Sequence, residues 1–147
     1  MIETTDKLNQ LLKEGLEYLS QSSESEMSKK ATINKWSKKE ILGHLIDSGI
    51  NNLQRFTEIQ FENKPYILKK YKQNELVEVN DYQNAKTKEI VDFWLSINSR
   101  IKYLIKLQTE KTLNYQVELE KGNISDLRFL IEDYVDHLEH HINQIVE

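Results

Sequence analysis

The chain contains four histidines, and three of them have a spacing that suits a metal site. His137 and His141 are four residues apart, so a helix would place both imidazoles on one face, one turn from each other. They continue a stripe of core-facing residues that includes Leu130 and Tyr134. His140 is rotated by about 100° from His141 on a helix and should point away. Two imidazoles on one helix face can bind one metal ion together.

His44 lies one turn inside the helix predicted for residues 37–61. If that helix packs antiparallel to the one that carries His137 and His141, His44 meets the pair at one end of the bundle. Three neutral imidazoles suit a divalent metal such as zinc or nickel, and an open fourth position is typical of a catalytic site. The residues alone leave two other interpretations open: an exposed histidine pair, and a His44 that is hydrogen-bonded in the core or at its rim.

Four segments have the apolar spacing that predicts amphipathic helices. The second begins at a capping box, in which the Ser37 hydroxyl and the Glu40 carboxylate each accept from a free backbone N–H group. The fourth is expected to be capped by Ser125, with Asp126 near the positive end of the helix dipole. The predicted helices span residues 4–19, 37–61, 82–108 and 125–145.

The connections between these helices differ in length and composition. The Ser-rich segment 20–28 is expected to be a loop, and residues 109–124 a short extended stretch or a loop. Residues 62–82 form the long connection, without a sustained apolar period. Four helices with one long crossover predict an all-α protein, a four-helix bundle that forms a single domain over residues 1–147.

Composition excludes several classes of protein. The absence of cysteine rules out disulfide scaffolds, Cys-based zinc fingers, iron–sulfur clusters and cysteine nucleophiles. The net charge is −4 and only three of the 20 basic residues are arginines, which argues against a nucleic-acid partner. No apolar run approaches the ~20 residues of a membrane span, and the amphipathic, acidic N-terminus does not read as a signal peptide. We therefore expect a cytoplasmic protein with no membrane partner.

Two segments of the chain resemble the DinB superfamily, and within it the YfiT-like metal-dependent hydrolases. The first is KWSKKEILGHLIDSGINNLQRF (35–56), and the second is YVDHLEHHINQI (134–145). Their shared features are a Trp-Ser helix start, a histidine in the following turns, an Asp-Ser pair, and a last helix with His-x-x-x-His and a nearby glutamine. The matching positions are Trp36, Ser37, Glu40, His44, Asp47, Ser48, Asn51, His137, His141 and Gln144.

This resemblance implies a four-helix bundle whose divalent metal, zinc or nickel, is held by His44, His137 and His141. It also implies a small-molecule substrate, because relatives include S-transferases that use a low-molecular-weight thiol. Since the chain has no cysteine, any thiol nucleophile must come from a cosubstrate. The function expected is a metal-dependent hydrolase or thiol S-transferase. The alternative is a non-catalytic metal-binding or dimerisation bundle with a stress-related role, for which a homodimer is one possible assembly.

Asp47 and Gln144 are the candidates for catalytic or positioning roles beside the three histidines. Asp47 lies one turn after His44 and could orient a ligand, or it could be a solvated carboxylate or a hydrogen-bond acceptor at the chain start. Gln144 follows His141 by three residues and could hydrogen-bond a ligand or the substrate. Four aromatic side chains could line a pocket beside the metal or fill the core: Trp36, Trp94, Tyr103 and Tyr134.

Overall fold

A computed structural model describes all residues from 1 to 147. Four long helices are joined by short helices, a 3₁₀ turn and three short strands. In chain order they are α1 (Ile2–Leu19), α2 (Glu24–Ser28), α3 (Lys38–Glu58), β1 (Tyr66–Ile67), α4 (Gln73–Val79), the 3₁₀ turn (Tyr82–Asn84), α5 (Thr87–Leu107), α6 (Glu110–Leu113), β2 (Gln116–Glu120), β3 (Asn123–Asp126) and α7 (Leu127–Val146). None of the helices combines the length and hydropathy that crossing a membrane requires.

The four long helices α1, α3, α5 and α7 form the predicted bundle. α3 packs against α5 and α7, and α1 packs against the same two helices. The long crossover returns the chain from the C-terminus of α3 to the side of the bundle where α3 begins. α5 starts there, so α3 and α5 run parallel. Hydrogen bonds join both ends of the pair: Lys39 donates to the Ala85 carbonyl at one end, and Gln60 donates to Gln108 at the other. The all-α bundle with one long crossover is therefore confirmed.

Close approach of the helices depends on small residues at their contacts. Trp94 of α5 is fully buried, and a Cβ atom at Gly15 of α1 would lie 2.7 Å from its ring. Tyr134 is also buried in the core, where its hydroxyl donates to the Asn98 side chain at 2.6 Å. Two of the four candidate pocket aromatics are therefore core residues, and a third, Tyr103, is half exposed.

Several predicted boundaries move in the structure. α3 begins at the predicted capping box but ends at Glu58 rather than near Phe61. The cap of α7 is Asp126 instead of Ser125, because α7 begins at Leu127 and the Asp126 carboxylate accepts from the backbone N–H of Phe129 at 2.8 Å.

The connections are more structured than the sequence predicted. The Ser-rich segment contains α2, and residues 62–82 contain β1 and α4. The third helix starts at Thr87, since Tyr82 belongs to a 3₁₀ turn. β1 pairs in parallel with β2, and β2 pairs antiparallel with β3, in a small sheet at the bundle end where α7 begins. The extended stretch expected within residues 109–124 is the β2–β3 hairpin, in which Gly122 has φ +81°.

An ion pair between a buried lysine and an exposed glutamate fixes the bundle end where α3 and α5 begin. The Lys39 side chain is only 4% exposed, and its ammonium donates to the Glu24 carboxylate at 2.7 Å. The other Glu24 oxygen accepts from the backbone N–H of Thr87, the first residue of α5, at 3.0 Å. Glu24 of α2 therefore holds the starts of α3 and α5 together.

We expect Glu24→Gln to lower the free energy of unfolding by about 1–3 kcal/mol, since it leaves a buried ammonium without its counter-charge. Urea denaturation at pH 7 measures this change. The matched control is Asp92→Asn, which breaks the exposed Lys88–Asp92 pair and should change stability by no more than about 0.5 kcal/mol. Equal effects of the two substitutions would contradict a structural role for Glu24.

The Glu24–Lys39 pair makes the stability of the fold depend on pH in a defined direction. The hydrogen bonds from Lys39 and Thr87 lower the pKa of Glu24 from 4.5 to about 2. A carboxylate whose pKa is lower in the folded state contributes its full stabilisation at pH values above the unfolded-state pKa. This contribution is lost as the pH falls from 4.5 to about 2. The stability difference between the native chain and Glu24→Gln should therefore shrink over that range.

Candidate metal centre

Three imidazoles converge where α3 and α7 cross. His44 lies in the second turn of α3, and His137 and His141 lie in the C-terminal half of α7. The two helices run antiparallel, because Phe56 near the end of α3 faces Tyr134 earlier in α7. The predicted meeting of His44 with the histidine pair is therefore present in the structure.

The ring nitrogens are close enough to share one ion. The Nε2 atom of His137 lies 3.1 Å from Nε2 of His44 and 3.1 Å from Nε2 of His141. One nitrogen from each of the three side chains lies within 4.8 Å of the others. Two nitrogens that are each about 2.0–2.1 Å from a common ion lie about 2.8–3.4 Å apart at tetrahedral to octahedral angles. The three-His group therefore fits a divalent metal ion.

Burial keeps these imidazoles neutral. Burial, together with the smaller effect of the neighbouring imidazoles, lowers the pKa of His44 to about 3 and that of His137 to about 4. Burial also lowers the pKa of His141, against a hydrogen bond with Gln144 that raises it. Neutral imidazole is the form that binds a metal, so the cluster does not have to lose protons at pH 7 before binding.

Gln144 orients one ligand of the cluster. Its side-chain oxygen lies 2.8 Å from Nδ1 of His141, so Nδ1 carries the proton and donates it. That tautomer leaves a lone pair on Nε2, which points to the other histidines. His140 is exposed and lies outside the cluster, with its Nε2 atom 3.5 Å from the Gln144 amide.

Asp47 is buried, so it is neither a solvated carboxylate nor an acceptor at the chain start. Its Oδ1 atom accepts from the Tyr82 hydroxyl at 2.6 Å and from the Asn80 amide at 3.1 Å. Its Oδ2 atom is buried without a hydrogen-bond partner, and so is Nδ1 of His44 one helical turn away. Burial raises the pKa of Asp47, against the hydrogen bonds from Tyr82 and Asn80 that lower it.

Tyr82 and Asn80 are site residues that the sequence did not reveal. The Tyr82 ring packs against Gly43, where an added Cβ atom would lie 2.1 Å from the ring. Only glycine beside His44 permits this contact, which fixes the crossover to the turn of α3 that carries the histidine. In the sequence, Gly43 alone indicates a close contact beside His44, and it does not identify Tyr82 as the residue in contact.

Trp36 joins the centre to an open pocket. Its ring lies 5.0 Å from the His44 ring, between centroids, with the planes tilted by 36°. Trp36 is therefore the one of the four candidate aromatics that lies beside the histidines. The adjoining pocket has a volume of about 480 Å³, and its walls are Asn34, Lys35, Trp36, Ile41, Gln73, Asn74 and Gln144.

The sequence profile of the DinB superfamily matches residues 7–145. The chain belongs to the DinB superfamily. One relative, "Putative metal-dependent hydrolase BH0277" of Halalkalibacterium halodurans, is 26% identical over 122 residues, which cover 83% of this chain and 70% of the relative. This DinB-superfamily chain is thus similar to a protein named for metal-dependent hydrolysis.

Two solved structures share the fold of this DinB-superfamily chain. YfiT from Bacillus subtilis, described as "a probable metal-dependent hydrolase with an unusual four-helix bundle topology", matches with a TM-score of 0.85 at 19% identity, over 97% of this chain and 82% of YfiT. A mycothiol-dependent maleylpyruvate isomerase matches with a TM-score of 0.74 at 12% identity, over 97% of this chain and 59% of that enzyme. At these identities the likeness concerns the fold.

We expect Gln144→Ala to weaken zinc binding by about 10- to 100-fold, because it removes the acceptor that fixes the tautomer of His141. Competition with a chelator of calibrated affinity measures the change. Asn143→Ala is the matched control, since Asn143 is the preceding residue, is exposed and makes no side-chain hydrogen bond. Equal zinc affinities of the two variants would show that Gln144 does not position His141.

Proposed function

We propose that this protein is a metal-dependent hydrolase or thiol S-transferase of the cytoplasm, with His44, His137 and His141 as the ligands of a zinc or nickel ion. The observation that carries the proposal is the convergence of three neutral imidazoles with no carboxylate or fourth histidine in the group. A set of three ligands leaves a coordination position for water or substrate, as in catalytic zinc sites. The relative named for metal-dependent hydrolysis supports the same reaction class.

A metal ion bound here supplies a Lewis acid that lowers the pKa of a water or thiol bound beside it. The residues of the chain supply the rest of the chemistry. Burial of His44 between Trp36 and α7 excludes water from one side of the centre. The pocket walled by Trp36 and Gln144 lies next to the centre and has room for a small molecule. The mycothiol dependence of the structurally similar isomerase supports a thiol as one cosubstrate, which a chain without cysteine must take from outside.

Asp47 has a positioning role in this proposal. When Nε2 of His44 binds a metal, Nδ1 carries a proton and needs an acceptor. The side chain of a helical residue leans toward the preceding turn, so the carboxylate of Asp47 leans toward His44. The unpartnered Oδ2 atom of Asp47 is the acceptor that the unpartnered Nδ1 atom of His44 requires. Tyr82 and Asn80 hold the other carboxylate oxygen in place.

Metal analysis of untagged protein tests the proposal. We expect about one zinc or nickel ion per chain, and loss of that ion in His44→Ala. The control is His140→Ala, which removes an exposed histidine outside the cluster and should retain the metal. Retention by His44→Ala, or equal loss in both variants, would contradict the ligand set.

Assays of the metal-loaded and metal-stripped protein then separate the two candidate functions. Hydrolysis or thiol conjugation that depends on the metal supports the enzyme. A metal that is retained without any such activity supports the non-catalytic metal-binding bundle. Sedimentation of the same samples tests the predicted homodimer.

We expect Asp47→Asn to weaken zinc binding by about 10- to 100-fold without lowering the stability of the metal-free protein. The metal-free fold is not expected to suffer, because the substitution replaces a buried carboxylate with a neutral amide of the same shape. Chelator competition and urea denaturation give the two quantities. Asp136→Asn is the control, since it removes the same charge from an exposed position beside His137. If Asp47→Asn destabilised the metal-free fold and left zinc affinity unchanged, Asp47 would be structural only.

A further inference from the structure

The pocket lined by Trp36 and Gln144 adjoins the metal centre. Two of its walls touch the cluster: the Trp36 ring packs on His44, and the Gln144 side chain bonds to His141. A molecule in the pocket is therefore one side chain away from the imidazoles. Its volume of about 480 Å³ is in the range of pockets that hold small molecules.

The charge of the pocket is opposite to that of the protein. The chain carries 24 acidic residues and a net charge of −4, yet none of the seven residues that line the pocket is acidic. Lys35 is the one charged residue among them. This local excess of positive charge favours an anionic ligand.

The Lys35 ammonium has no partner in the protein. Three other lysines nearby are paired with carboxylates: Lys30 with Glu40, Lys38 with Glu26 and Lys39 with Glu24. Lys35 forms no ion pair and its ammonium makes no hydrogen bond, although it lies in the same segment. Lys29 is unpaired as well, but Lys35 is the one of these two lysines that lines the pocket.

Three amide side chains line the same pocket as Lys35. Asn34 precedes it in the chain, and Gln73 and Asn74 come from the start of α4 on the opposite side. None of these three side chains forms a hydrogen bond within the protein, so their N–H groups are free to donate to a ligand. Several neutral donors and one cation, without a carboxylate, match a bound carboxylate group.

We propose that this pocket binds a carboxylate group of the small substrate or thiol cosubstrate, with Lys35 as its charge partner and Asn34, Gln73 and Asn74 as donors. The proposal rests on the proposed function for the identity of the reaction. It adds the chemical class of the molecule: a small organic acid. Ligands without a carboxylate are expected to bind the pocket more weakly.

Three probes of similar size test the proposal by NMR titration of zinc-loaded and metal-free protein. Propionate carries the carboxylate alone, 2-mercaptoethanol the thiol alone, and 3-mercaptopropionate both. We expect propionate to shift the side-chain amide signals of Asn34 and Asn74 in both forms of the protein. If the thiol cosubstrate carries the carboxylate, 3-mercaptopropionate binds the zinc-loaded form more tightly than either other probe. If the other substrate carries the carboxylate, propionate and 2-mercaptoethanol bind to the zinc-loaded protein at the same time.

The variant Lys35→Gln should weaken binding of both carboxylate probes by about tenfold and leave 2-mercaptoethanol unaffected. Lys29→Gln is the control, because it removes the same charge from an exposed lysine that does not line the pocket. Equal binding of propionate by the two variants would overturn the proposal. Zinc affinity should be the same in both. A chain that binds propionate through Lys35 but retains no metal would contradict the proposed function and leave the carboxylate site standing.

Discussion

The crossing of α3 and α7 brings the Nε2 atom of His137 to 3.1 Å from the Nε2 atoms of His44 and His141, in a place where His44 is buried and the other two imidazoles are half-buried. Protonated imidazoles could not remain so close, since like charges in a poorly solvated site repel strongly. The fold therefore requires neutral histidines at this crossing. The lone pairs of these neutral imidazoles converge on one point, as binding of a divalent cation requires. The rest of the bundle must hold the three side chains in that arrangement.

Most of the surrounding structure serves to hold that crossing. Gly15 lets α1 approach Trp94 of α5, and Gly43 lets the Tyr82 ring lie on the turn of α3 that carries His44. Tyr82 then reaches Asp47, one turn beyond that histidine. On α7, Gln144 orients His141. Each of these contacts restricts a histidine or the helix beneath it, so the site is ordered before any ligand binds.

The sequence predicted the long helices and the histidine cluster because both depend on regular spacing. A period of 3.6 residues determines which side chains share a helix face, and it placed His137 with His141 and separated His140 from them. The capping box at Ser37 fixed the start of α3, and with it the turn in which His44 lies. The sequence-based prediction had to assume that α3 and α7 pack antiparallel, and the structure has this packing.

The short elements and the partners of Asp47 could not be predicted in the same way. α2, α4 and β1 are too short to show a period, and each depends on contacts with distant residues. Ser125 and Asp126 are both good helix caps, so the choice between them depended on the residue at which β3 ends and α7 begins. The burial of Asp47 follows from a tyrosine 35 residues away in the chain, and no local pattern encodes that contact.

X-ray absorption spectroscopy of the untagged, zinc-loaded protein is the most direct test of the three-histidine centre. The geometry predicts three imidazole nitrogens at about 2.0–2.1 Å from the metal, together with one oxygen donor from solvent. The multiple-scattering signal of imidazole rings distinguishes these ligands from carboxylates. A spectrum that fits three histidines would establish the centre, and a spectrum with fewer than three, or with protein carboxylates in their place, would contradict it.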